Sequence, residues 1–519
     1  MDRRFRGCLG LCLLLLLPLS NRLYADIKLP ALLADHMVLQ QDTAVTLWGW
    51  ADPGETVQVT GSWNNKAAKA VADAAGNWQV KLHTPKAGGP FTVRFKGKNE
   101  IQLENVLAGE VWICSGQSNM HFPVAPIENS GWATGVVNYK EEIAKADYPK
   151  IRMFTVAREV ADEPQQDVEG NWQVASPATV GDFSAVAYFF ARELYEKSGL
   201  PVGLINTSWG GTPAEGWTQK KVLESDADFR PILERYAEDV KKFPEAIGVY
   251  KQELEQWKEE AAEAKDRGEK PAATPREPMG PTHHKSPYKL YNAMIAPLLP
   301  YTIKGAIWYQ GESNADRAYQ YRKLFPAMIA NWRQGWKSDF PFYFVQIAPH
   351  RSQRPEIREA QLLTMQTIPN TGMAVITDAG DWLDIHPRNK QVVGKRLALW
   401  ALAKDYGQKN TVYSGPVYKS MQVTKGRIKL SFDHIGGGLV AKGGELTEFT
   451  IAGADQQFVP AKARLEGNKV VVWSDEVKNP VAVRFAWERI PEPNLYNKAG
   501  LPASPFRTDT WSAETYGKN

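Results

Sequence analysis

Apolar and polar residues alternate in short runs from position 26 to about 105. Val45-Thr46-Leu47-Trp48 leads to the turn Asp52-Pro53-Gly54, and Trp78-Gln79-Val80-Lys81-Leu82 follows Ala75-Gly76-Asn77. A period of two broken by regular turns predicts an all-β, sandwich-like module over 26–105.

Beyond Leu107-Ala108-Gly109-Glu110 the pattern changes. Apolar runs of strand length at 111–114, 151–156, 202–206, 303–309, 342–347 and 373–377 alternate with helical spacing at 185–197, 318–336, 357–368 and 390–405. This predicts an α/β domain over 106–405 with a mainly parallel sheet. The last helix carries Val392, Val393, Leu397, Trp400 and Ala401 on one face, as a helix covering a sheet would. Within the domain, Phe229, Ile232, Leu233 and Tyr236, then Tyr250, Leu254 and Trp257, recur at helical intervals among many charges. The expectation for 223–285 is an inserted helical hairpin closed by the loop 270–281, a solvated excursion rather than a lid. From 406 to 519 short strand-like runs return at 421–423, 427–432, 446–451, 469–473 and 481–485, predicting a second β-rich module. The Pro-, Gly- and Asn-rich tail 494–509 is expected to gain order only by lying on a domain surface.

Composition adds a compartment. Arg3, Arg4 and Arg6 precede an apolar run over 9–19, and small residues follow up to Ala25, the layout of a cleaved secretory leader over 1–25. The expected location is therefore secreted or periplasmic. The apolar run is too short to span a bilayer, so no membrane anchor is expected. Of three cysteines, Cys8 and Cys12 lie in the leader and Cys114 is left alone, so the mature fold rests on its core without an internal disulfide. The formal charge of +4 falls to +1 without the leader, which holds four Arg and one Asp. Such a balance argues against nucleic acid as partner. The 18 Trp suit sugar faces and core packing equally well.

The candidate chemistry begins where a strand breaks. Val111-Trp112-Ile113-Cys114-Ser115-Gly116 runs into Gln117-Ser118-Asn119-Met120, so a glycine turn presents Ser118 as a nucleophile; alone, such a serine is more often a helix cap. Ligands of open α/β sheets sit beyond the carboxyl ends of the strands, and three other strand ends carry matching groups. Gly210-Gly211-Thr212 allows close backbone approach and an N–H donor, Gln310-Gly311-Glu312-Ser313-Asn314 offers side-chain amides, and Asp378, Asp381, Asp384 and His386 put carboxylates near an imidazole. His121 and His350 are rival bases. His283-His284 lacks the spacing of common zinc motifs, and no metal site or phosphate-binding fingerprint is found.

Four blocks, Ser115-Gly116-Gln117-Ser118-Asn119-Met120, Gly210-Gly211-Thr212 with Trp217, Trp308-Tyr309-Gln310-Gly311-Glu312-Ser313-Asn314 and Asp384-Ile385-His386-Pro387, resemble in order those of sialate O-acetylesterase-like proteins in the SGNH (GDSL-type) hydrolase superfamily. The resemblance implies a flavodoxin-like α/β domain flanked by β-sandwich-like modules, acting on O-acetylated sugars without metal or organic cofactor. Leu383 stands where that superfamily usually places its acid, three residues before the histidine, which leaves Asp384, Asp381 and Asp378 as alternatives.

On this reading Ser118 is the nucleophile, His386 the base and Asp384 its orienting acid. The N–H groups of Ser118 and Gly211 and the side-chain amide of Asn314 are expected to meet the oxyanion. Gln117, Gln310, Glu312 and Trp209 are expected to bind substrate, and Arg358 to meet a substrate carboxylate. The expected function is a serine esterase for O-acetyl sugars, foremost the 9-O-acetyl group of sialic acid. Acetylated xylan is a second substrate class, and a non-catalytic carbohydrate-binding protein a third reading.

Overall fold

The computed structural model describes residues 26–518; the leader expected at 1–25 lies outside the described residues. Strands β1 (Glu100–Gly116), β2 (Tyr148–Thr155), β3 (Trp172–Ala175), β4 (Val202–Ser208), β5 (Gly305–Tyr309), β6 (Phe342–Gln346) and β7 (Thr371–Val375) stand in the order β7-β6-β5-β1-β4-β2-β3. Neighbours pair in parallel except β2 with β3. The helices that matter here are α1 (Ser118–His121), α2 (Ala185–Ser198), α3 (Arg230–Asp266), α4 (Ala318–Trp336), α5 (Pro355–Thr367) and α6 (Lys390–Lys404).

Both faces of the sheet are covered, which is why its strands read as unbroken apolar runs. Trp112 of β1 meets Phe190 of α2 with ring centres 5.0 Å apart. Trp308 of β5, on the opposite face, meets Trp332 of α4 at 5.7 Å. Both tryptophans are fully buried. Local signals set the helix ends: the Ser184 hydroxyl accepts from the N–H of Ala187 at the start of α2, and Gly199 closes it in the left-handed conformation. Later strands add on the α4 side of β1 and earlier ones on the other. The chain therefore reverses its winding direction beside β1, opening a crevice at the carboxyl end of that strand.

The module boundary expected between 105 and 106 falls inside β1. The first half of this strand pairs antiparallel with Gly88–Lys96 and parallel with Val38–Gln40, and its second half is the central strand of the α/β sheet. One continuous hydrogen-bonded strand thus ties the β module to the central α/β sheet. In the β module, Ala44–Trp50 pairs with Asn77–His83, and its layer packs on the other through contacts such as Trp78 with Phe95 at 5.9 Å.

In place of the expected helical hairpin at 223–285 there is one long helix, α3, followed by an extended return. Pro271, Pro275, Pro278 and Pro281 deny the return segment helical hydrogen bonds. Trp257 pins it instead, donating from Nε1 to the Ala272 carbonyl at 2.9 Å.

The C-terminal module holds two antiparallel four-stranded sheets. Its tail does more than lie on a surface. Leu495–Asn497 pairs with Leu439–Ala441, Phe506–Arg507 pairs with Ala482–Phe485, and Arg507 Nε bonds Glu359 of α5 at 2.7 Å. Among the described residues no helix is long and apolar enough to cross a membrane.

Candidate active site

The first piece of the site is a backbone constraint. Gly116 ends β1 at φ +138°, and a Cβ there would lie 2.1 Å from the Tyr309 carbonyl oxygen. Only glycine lets β1 and β5 approach so closely before the chain turns. The N–H of Gln117 then bonds that same carbonyl at 3.0 Å, and Ser118 opens α1. From the neighbouring strand end, the N–H of Trp209 bonds the Gly116 carbonyl at 3.1 Å. This sets Gly210 against the nucleophile: a Cβ on Gly210 would be 3.3 Å from Ser118 Cβ. Among the described residues, no hydrogen bond engages the N–H of Ser118 or of Gly211.

The loop after β7 supplies the imidazole. His386 Nε2 lies 2.9 Å from Ser118 Oγ, although the two residues are 268 positions apart. Trp132 and Phe122 pack the ring, with centres 5.1 and 6.4 Å away. Burial in this aromatic setting lowers the His386 pKa to about 4, the neighbouring Lys390 charge adds to the lowering, and Asp384 opposes it. The imidazole is thus neutral at pH 7, and a neutral Nε2 can take a hydroxyl proton.

Of the three acids, Asp384 faces the ring. Its Oδ1 is 3.5 Å from His386 Nδ1 and accepts the His386 backbone N–H at 2.9 Å. Asp381 caps the turn, accepting from the N–H groups of Leu383 and Asp384. Asp378 is held by the Arg396 guanidinium at 2.5 and 2.8 Å. The rival bases are occupied elsewhere: His350 Nδ1 pairs with the Ser352 hydroxyl at 2.7 Å, and His121 stands against Arg158.

Several expected contacts are corrected by the packing. Asn314 is a buried strut. Its Oδ1 accepts from the Ala214 N–H at 2.9 Å and Gln310 Nε2 at 2.7 Å, and its Nδ2 donates to Glu215 at 2.8 Å. The amide expected to meet an oxyanion is therefore turned to Glu215, which Arg317 also grips at 2.7 Å. Gln310 is likewise fully buried, linking Asn314 to the Tyr321 hydroxyl, so it has no surface to offer a sugar. Arg358 is fully buried on α5 and donates to the Glu488 carbonyl, so it does not reach a substrate carboxylate. Gln117 accepts the Ser313 N–H at 3.3 Å and braces two strand ends. Trp209 stays half-buried at the site, stacked on His284 at 5.2 Å.

Sequence reasoning missed a buried polar network under the nucleophile. Lys390, the first residue of α6, is fully buried and donates from Nζ to Asn119 Oδ1 at 2.5 Å. Asn119 Nδ2 donates in turn to Glu312 at 2.6 Å and to the Ile385 carbonyl at 3.0 Å. Burial lowers the Lys390 pKa to about 7 and raises that of Glu312. A lysine at a predicted helix start reads as an exposed charge. Nothing local marks it as buried.

The profile of a carbohydrate esterase family, the sialic acid-specific acetylesterases, matches residues 108–270 and 277–402. The chain is 31% identical to the sialate O-acetylesterase of Rattus norvegicus, over 96% of this chain and 97% of that protein. It is 30% identical to the sialate O-acetylesterase of Homo sapiens, over 96% of each. A solved carbohydrate acetylesterase from Xanthomonas citri superposes with a TM-score of 0.78 at 37% identity, covering 94% of this chain and all of that one.

Proposed function

The chain belongs to the sialic acid-specific acetylesterase family and is a carboxylic ester hydrolase for O-acetylated sugars, and on that premise we propose that it removes O-acetyl groups from sialic acid through Ser118. The observation that carries the assignment of roles is the 2.9 Å approach of a neutral His386 Nε2 to Ser118 Oγ. His386 takes the hydroxyl proton as Ser118 attacks the acetyl carbonyl. Asp384, beside Nδ1, favours the tautomer that leaves Nε2 unprotonated and offsets the charge of the imidazolium. The oxyanion of the tetrahedral adduct meets the unengaged N–H groups of Ser118 and Gly211, each donor typically worth about 3 kcal/mol in such a site.

The adduct collapses as His386 passes the proton to the departing sugar oxygen, leaving acetyl-Ser118. Water, deprotonated by His386, then attacks the acyl carbonyl and releases acetate. Asn314 supports this arrangement from behind by holding the Glu215 turn and Gln310.

Ser118→Ala should remain folded and lose hydrolysis of 9-O-acetylated sialic acid; turnover at the wild-type rate would refute the nucleophile. A parallel assay on acetylated xylo-oligosaccharides decides the sugar, and a higher kcat/KM there would replace sialic acid as the substrate. Export by the leader over 1–25 belongs to the same reading, and N-terminal sequencing of the protein from periplasm or medium should find a start near Asp26.

A further inference from the structure

Beside the nucleophile, the segment inserted between β4 and β5 and the loop after β5 line an open cleft of about 500 Å³. One wall is the first turns of α3, another the return segment with Arg276 and Lys285, and the floor is Gly211 with Glu312 and Ser313. Lys285 and Ser118 flank the same glycine turn: a Cβ on Gly211 would lie 3.4 Å from Lys285 Cε, as one on Gly210 would lie 3.3 Å from Ser118 Cβ.

The charges around this cleft are unevenly satisfied. Its acids are mostly engaged: Glu215 with Arg317 and Asn314, Asp316 with Arg354, and Glu312 through one oxygen with Asn119, its other oxygen buried without a partner. Asp239, one turn along α3 from Arg235, is the exception. Three lining cations, the half-buried Arg235 and the exposed Arg276 and Lys285, form no ion pair among the described residues. Arg235 is half-buried; burial and the nearby Arg317 charge lower its pKa, and the Glu215 and Asp239 carboxylates oppose that. With Glu215 and Asp239 near it but neither in direct contact, the Arg235 guanidinium keeps its donors free, and a bound anion can take them.

We propose that this cleft is the subsite for the carboxylate of an acidic acetylated sugar, held by Arg235, Arg276 and Lys285 while the acetyl group lies at Ser118. This deepens the sialic acid reading and rests on it for the identity of the sugar. It gives the inserted α3 segment a role in specificity, and it places the anion contact that Arg358 cannot make.

The test compares kcat/KM for 9-O-acetyl-N-acetylneuraminic acid with that for its methyl ester, in the wild type and in Arg235→Gln. Charge-assisted hydrogen bonds of roughly 1.5–3 kcal/mol predict that the wild type favours the free acid by about 10- to 100-fold. The expected change in Arg235→Gln is a rise in KM for the free acid, with the acid-to-ester ratio falling toward one. Arg276→Gln gives the same readout should Arg235→Gln melt early. A wild-type ratio near one, or variants that keep the wild-type ratio, overturns the subsite. An enzyme inactive on the sialate pair loses the sialic acid reading instead; the same ratio is then measured on acetylated galacturonic acid and its methyl ester, where a preference for the acid supports the subsite and a ratio near one overturns it.

Discussion

Lys390 Nζ donates to Asn119 Oδ1 across 2.5 Å, and the two residues are 271 positions apart in the chain. This contact joins the start of α6 to the residue after the nucleophile, and Asn119 passes it on to the loop that carries His386 through the Ile385 carbonyl. The Ser118–His386 approach is thus supported from below by a buried cation, one of the groups that keep the imidazole neutral.

Replacing Lys390 by Met removes that charge and leaves Asn119 Oδ1 without its donor. The acid limb of kcat/KM should move upward from about 4 toward the ordinary histidine value near 6.5, and kcat should fall. A pH–rate profile on both proteins is the check. A lysine that only fills space would change melting temperature and leave the limb in place.

In the wild type the working form of His386 is the neutral one. Its pKa is depressed to about 4 in the folded chain, so kcat/KM should be flat between about pH 5 and 7 and drop as pH falls through 4. The sign is the same for stability. A depressed histidine favours the fold above its unfolded value near 6.5, and that contribution is lost progressively as pH falls toward 4. A limb centred near 6.5 in the steady-state profile would contradict the burial argument.

Asp384 is half exposed and stands 3.5 Å from the ring, a looser contact than a short buried ion pair. Asp384→Asn should lower kcat by about 10- to 100-fold, less than the ~10⁴ lost where the orienting acid is buried. Asp378→Asn, which breaks the bidentate contact with Arg396, should act on melting temperature instead. Steady-state kinetics and thermal melts on the two variants separate these outcomes. The reverse pattern would name Asp378 as the orienting acid.

Gly116→Ala places a methyl 2.1 Å from the Tyr309 carbonyl at a φ of +138°. Backbone there has to shift, at a cost of about 3 kcal/mol or more in stability. Denaturant unfolding measures it, and a loss below about 0.5 kcal/mol would mean that the strands separate more easily than their spacing implies.

The parts legible from sequence were those written locally. Unbroken apolar runs at 202–206 and 342–347 reported strands buried on both faces, and the observed Val202–Ser208 and Phe342–Gln346 lie on them. The helix expected at 185–197 is found at Ala185–Ser198, because its cap and its closing glycine are adjacent in the chain. The inserted hairpin was misjudged for the opposite reason. The two apolar groups, Phe229 to Tyr236 and Tyr250 to Trp257, read as two helices, but α3 runs straight through Pro244 and carries nearly all of both on one helix.

What the order of residues determined by itself is the six parallel strands of the central sheet, the glycine turn that presents Ser118 and the succession of blocks carrying Gly211 and His386, since period and punctuation are properties of neighbours in sequence. What only the tertiary structure decided is which polar group meets which. Asp384 rather than Asp378 faces His386, Asn314 turns to Glu215, Arg358 is sealed beneath Glu488, and Lys390 is driven under the nucleophile. Each of these depends on loops converging from distant parts of the chain, where the need to pair every buried charge and hydrogen-bonding group selects one arrangement among many that the local sequence permits.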